Sequence, residues 1–67
     1  MTEREIIELA VILINEHGHT ALEVAERRRD QHAHEPSGEA FRLWTRITEA
    51  VGQLLLMPER HEARRQL

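Results

Sequence analysis

Apolar and polar residues alternate with helical spacing in three segments of this 67-residue chain. In the first segment, Thr2 and Glu5 lie three residues apart just ahead of an apolar run. This is the spacing of a capping box, so it predicts the start of a first helix. We expect this helix to end near His17, because Gly18 can adopt the left-handed backbone that follows many helices.

Two further segments follow. Thr20 and Glu23 repeat the capping-box spacing and predict a second helix over residues 21–34. Pro36 disfavours helical backbone at the residue before it, so this region is expected to be a loop. Ser37 is the expected N-cap of a third helix. That helix should end at Pro58 and carry one apolar face, made of Ala40, Leu43, Trp44, Ile47, Val51, Leu54 and Leu55.

Three helices joined by short connections predict an all-α, three-helix up-down-up bundle. We expect this domain to cover residues 1–57. Residues 58–67 would form a charged C-terminal tail that is frayed or briefly helical. Trp44 and Phe41, the single tryptophan and phenylalanine, are expected to pack in the core rather than bind a ligand.

The first helix has a wider apolar arc than one side of a small bundle needs. Its apolar residues span roughly 200° of a helical wheel, whereas a core-facing stripe needs a little over 100°. We therefore expect the edge that includes Leu9 and Ile12 to contact another protein chain, most simply a second copy in a homodimer. The alternative is that helices 2 and 3 wrap the first helix and leave Ile12 merely exposed.

The apolar line of the second helix becomes cationic half-way along. Ala21 and Ala25 are followed on the same line by Arg28 and His32. One interpretation is that the core ends there and Arg28 lays its stem over apolar surface. The other is that Arg28, Arg29 and His32 form the polar rim of a partner-binding site.

Composition narrows the possible functions. The chain has 12 acidic and nine basic residues, a net charge of −3 and no cysteine, which excludes disulfides and thiolate metal sites. A chain this short buries only about 60% of its unfolded surface and is marginally stable alone. No apolar run is long enough to span a membrane and no secretory signal is evident, so a cytoplasmic protein is expected.

Nucleic-acid binding is an alternative that the charge balance disfavours, since phosphate contacts dominate such affinity. A helix-turn-helix arrangement would place the third helix in a groove. Its exposed side would then offer Arg42, Thr45 and Arg46.

Catalytic and metal chemistry have little support in the sequence. His17, His19 and His61 are the only histidines that one chain could bring together around a metal. Their spacing matches no zinc signature, so we expect no metal and no cofactor. The only serine is a predicted helix cap, and the three glycines form no phosphate-binding loop. We therefore expect no enzymatic activity.

The order of these features resembles a group of small, all-helical bacterial proteins classed as a domain of unknown function. The resemblance covers about residues 5–55 and implies a short helical bundle without assigning functional residues. Its features are His17–Gly18, Ala21, Ala25, Arg28, Gly38, Trp44, Ile47, Ala50, Val51 and Leu54. The sequence as a whole predicts a non-catalytic protein–protein interaction module or small accessory subunit.

Overall fold

The described part of the chain consists of a bent helix followed by a second helix. The computed structural model describes residues 2–56, which are 85% helical and contain no strand. The bent helix has 29 residues and the second has 18. Within the bent helix, α1 (Glu3–His17) and α2 (Ala21–Gln31) are joined by the 3₁₀ turn Gly18–Thr20, and the second helix is α3 (Glu39–Leu56). The all-α prediction is confirmed; the predicted tail, residues 58–67, lies outside the described residues.

The predicted three-helix up-down-up bundle is wrong, because α1 and α2 are two arms of one bent helix. Gly18 turns the chain with φ 60° and ψ −136°, while its N–H still donates to the carbonyl of Ile14. Helical backbone resumes after only three residues, so no loop separates the arms. The regular α-helix of α1 ends at His17 as predicted, but the glycine with positive φ leads directly into α2, so the chain bends here without a separating loop.

Hydrogen bonds at the two predicted capping boxes explain part of the difference between the predicted and the observed fold. At the start of α1, the Glu5 N–H donates to Thr2 Oγ1 at 3.3 Å, and the Thr2 N–H donates to Glu5 Oε1 at 2.8 Å, as predicted. The Thr2 backbone N–H lowers the pKa of the Glu5 carboxyl most, and the Thr2 hydroxyl, which donates to Glu5 Oε1 at 3.2 Å, lowers it further. The second predicted box does not form, because the Thr20 hydroxyl donates to the His17 carbonyl at 2.7 Å and so holds the bend.

A loop precedes α3 as expected, but α2 ends earlier than predicted, at Gln31, and α3 begins at Glu39, so that Gly38 and not the predicted Ser37 is its N-cap. The Glu39 N–H donates to Ser37 Oγ at 3.4 Å. Gly38, with φ 72°, accepts the first helical hydrogen bond from the Arg42 N–H at 3.0 Å. The chain therefore reverses direction through this loop and brings α3 back against the bent helix.

The core lies where α3 packs against both arms. Alanines at the contact let the helices approach closely, and Trp44 packs partly buried against this core, whereas Phe41 is partly buried outside it. The buried Thr48 hydroxyl donates to the Trp44 carbonyl at 2.6 Å, so its polar group is satisfied. The buried apolar residues are Ile6, Ala10, Ala21, Ala25, Ile47 and Val51.

Candidate interaction surface

Helix α1 leaves three of its large apolar side chains exposed. Only Ile6 and Ala10 are buried in this helix. Ile7, Val11 and Ile12 remain 44%, 41% and 50% exposed. The excess of apolar surface that the sequence indicates is therefore present in the folded chain.

The two residues chosen from the sequence for an apolar contact are not fully covered. Leu9 is partly buried against the core, and Ile12 is half exposed. Sequence reasoning did not single out Ile7 and Val11, although both belong to the same wide apolar arc. Their exposure could not be read from the pattern, because it depends on which edge of α1 the neighbouring helix covers.

The structure shows which edge of α1 faces α3. Ile7 lines a recess together with Arg46 and Gln53 of α3. Five residues later, Ile12 lies about 140° further around the helix. Ile12 therefore projects from the side of α1 that points away from α3, and we call this side the outer edge of α1.

The cationic residues predicted on α2 separate into two groups. Arg28 is exposed, which both interpretations of its role allow. Arg29 and His32 are partly buried and each meets a nearby carboxylate of the same chain. Arg29 Nε is 3.2 Å from Asp30 Oδ1, and His32 Nδ1 is 2.7 Å from Glu35 Oε2. The three predicted rim residues therefore do not form one cluster, and Arg28 alone is presented to solvent without such a contact within residues 2–56.

Charge is distributed unevenly around Ile12. Glu8 and Glu16 lie one helical turn before and after it, and both are exposed. Helix α1 contains four glutamates and a single arginine, Arg4. The outer edge of α1 is therefore an apolar residue between two carboxylates.

The three candidate nucleic-acid residues on α3 differ in how accessible they are to a ligand. Arg42 and Arg46 are exposed. The Thr45 hydroxyl donates to the Phe41 carbonyl at 2.8 Å, so its hydrogen is engaged within the helix. Arg46 shares its recess with the carboxylates of Glu3 and Glu49, which would repel phosphate. Nucleic-acid binding stays a prediction, and this arrangement does not favour it.

Residues 2–56 contain neither a candidate metal site nor a candidate membrane-spanning helix. No three histidine, aspartate or glutamate side chains in this range are placed to hold a metal ion. His17 Nε2 is 3.9 Å from Glu16 Oε1, and His61, the third member of the predicted cluster, lies outside the described residues. Within the same range, no helix has the length and apolar character needed to cross a membrane.

Comparison of the chain with protein-family models, curated proteins and solved structures finds no match. The resemblance to small bacterial helical proteins therefore stays a prediction.

Proposed function

We propose that this chain is a non-catalytic protein–protein interaction module that self-associates through the outer edge of α1. The observation that carries the proposal is the half-exposed Ile12 on the side of α1 opposite to α3, next to the partly buried Leu9. An apolar residue beside partly covered neighbours can extend the core of one chain into that of another.

Energetics support a contact that completes the core. Fully burying an isoleucine side chain contributes about 1.5–3 kcal/mol, so covering the exposed half of Ile12 contributes about 1 kcal/mol per copy. A two-fold dimer covers Ile12 of both copies, so this free energy is gained twice. The core of a domain this small rarely contributes more than about 3–5 kcal/mol to stability, so such a gain is a large fraction of the total.

The proposal is tested by placing a charge in the contact. Ile12→Glu buries an unpaired carboxylate in each half of a symmetric interface, and we expect it to weaken association at least about tenfold. It should also lower the melting temperature, because association stabilises the folded state. Sedimentation equilibrium at several concentrations measures the association constant.

The matched control is Val11→Glu. Val11 is 41% exposed, close to the 50% of Ile12, and is the adjacent residue on the same helix. It projects from a different side of α1, about 100° away. We expect Val11→Glu to associate like the unmodified chain. Equal weakening by both substitutions would contradict an interface on the outer edge.

A further inference from the structure

We infer that the outer edge of α1 is a docking site for a basic partner protein, one whose contact surface carries an apolar side chain between arginines or lysines. Association at this edge is the proposed function, on which the inference rests, and a second copy is then the weaker of two occupants. The reason is the set of carboxylates around Ile12. A second copy opposes them with its own carboxylates, whereas a basic surface neutralises them.

Three glutamates lie close to Ile12 on the surface of α1. At about 100° per residue, Glu8 and Glu16 are each about 40° from Ile12 around the helix, one turn before it and one turn after it. Glu5 is about 20° from Ile12 and two turns before it. All three glutamates are exposed. The half-exposed isoleucine is therefore flanked by carboxylates on both sides along the helix axis.

These carboxylates keep their charge within residues 2–56. The one arginine that forms an ion pair in this range is Arg29, which is on α2. Glu16 meets only the His17 ring, at the long distance of 3.9 Å and on the exposed surface. Glu5 accepts a hydrogen bond from the Thr2 N–H at 2.8 Å, which favours its ionised form. The outer edge of α1 is therefore an apolar centre with a negative surround.

A second copy cannot cover Ile12 without opposing these carboxylates. In a two-fold contact, the same patch of surface lies against itself. If the two α1 helices run antiparallel about Ile12, Glu8 of each copy faces Glu16 of the other. If they run parallel, each glutamate faces its own counterpart. Like charges at close range repel in both arrangements, so self-association through this edge is weakened by its own carboxylates.

A partner with basic residues at the same spacing removes this repulsion. Arginines one turn before and one turn after an apolar side chain lie against Glu8 and Glu16 when that side chain covers Ile12. The apolar stem of an arginine can also cover the partly buried Leu9 while its guanidinium reaches a carboxylate. The net charge of −3 on the whole chain attracts such a partner over a longer range and repels a second copy.

A charge-reversed copy of the chain serves as the probe. The variant with Glu8→Arg and Glu16→Arg presents Ile12 between two arginines, which is the chemistry required of the partner. Titration calorimetry at low ionic strength measures its binding to the unmodified chain, and sedimentation equilibrium measures the association of each chain alone. We expect the mixed pair to associate at least about tenfold more tightly than the unmodified chain associates with itself. Added salt should weaken the mixed pair and strengthen self-association, because it screens attraction in one and repulsion in the other.

The matched control reverses two glutamates elsewhere on the surface. The variant with Glu23→Arg and Glu49→Arg makes the same change in net charge at exposed positions of α2 and α3. We expect it to bind the unmodified chain much less tightly than the probe does, because neither position belongs to the outer edge of α1. Circular dichroism establishes that both variants are helical before binding is measured.

A second variant tests whether the apolar centre takes part. Ile12→Ser in the unmodified chain keeps every carboxylate and removes the apolar side chain. We expect it to bind the probe about fivefold less tightly or weaker still. Unchanged binding would place the contact elsewhere on the molecule and overturn the inference.

Two further results would overturn the basic docking site. One is a mixed pair no tighter than the unmodified dimer. The other is equally tight binding by the control variant, because net charge would then be responsible instead of the outer edge. Self-association is judged separately, from the unmodified chain alone. If that chain stays monomeric while the probe binds it, the proposed self-association fails and the basic docking site stands.

Discussion

The glycine in the middle of α3 has no steric reason to be a glycine. Gly52 is helical, and the nearest heavy atom to a Cβ added there is Leu22 Cδ1, at 3.9 Å. That distance is ordinary van der Waals contact, so a methyl group would fit without displacing Leu22. Gly52→Ala is therefore predicted to stabilise the fold.

The size of the effect follows from helix propensity. Glycine in a helix interior is less favourable than alanine by about 1 kcal/mol, and the new methyl gains contact with Leu22 instead of a clash. A change of 1 kcal/mol moves the melting temperature of a 60–100-residue domain by about 4–8 °C. We expect Gly52→Ala to raise the melting temperature by about this amount.

Thermal unfolding followed by far-ultraviolet circular dichroism measures the shift at a fixed protein concentration, because association makes the melting temperature depend on concentration. Gly38→Ala is the matched control. Its φ of 72° favours glycine, so the same substitution should lower the melting temperature there. An unchanged or lower melting temperature for Gly52→Ala would refute the reasoning about space beside Leu22.

Four further experiments test the fold and the alternative function. Thr2→Ala removes the hydroxyl that caps α1, and we expect a loss of about 1 kcal/mol in urea unfolding. The lowered pKa of Glu5 favours folding above the ordinary pKa of glutamate and loses this effect as pH falls through the folded value. Glu5→Gln should therefore make the melting temperature less dependent on pH in acid. Ala25→Leu overfills the contact with α3 and should cost about 1–3 kcal/mol, measured in the same urea experiment. If the chain binds nucleic acid instead, replacing Arg42 and Arg46 by alanine should abolish a salt-sensitive mobility shift, and no shift with the unmodified chain would refute that alternative.

The parts of the fold that depend on local chemistry could be predicted from the sequence. The Thr2–Glu5 capping box, the positive φ of Gly18 and the loop around Ser37 each involve residues within a few positions of one another. Ile47 and Val51, two of the three buried residues of α3, also followed from helical periodicity, whereas the buried Thr48 did not, because a polar residue does not belong to the apolar pattern.

The relation between α1 and α2 could not be predicted in this way. The spacing of Thr20 and Glu23 suits a new N-terminus, yet the Thr20 hydroxyl donates backward to His17. Capping a new helix and donating backward to His17 both give the Thr20 hydroxyl a hydrogen-bond partner. Only the packing of both arms on α3 selects between them. A pattern of capping residues therefore indicated a break where the chain only bends.

The candidate interaction surface was likewise predictable only in part. The excess apolar area on α1 was visible in the sequence, and Ile12 is half exposed as the pattern suggested. The contact of His32 with Glu35 was not predicted, because the sequence places the end of α2 beyond His32, and the contact of Arg29 with Asp30 depends on side-chain conformation, which helical spacing does not specify. The outer edge of α1 became definable only once the position of α3 was known.

The molar mass of the unmodified chain in solution tests the central claim most directly. Sedimentation equilibrium from micromolar to millimolar concentration should show the mass rising to that of two chains, and the melting temperature should rise over the same range. A mass of one chain at millimolar concentration would contradict the account, because the exposed side of α1 would then have no second copy to cover it.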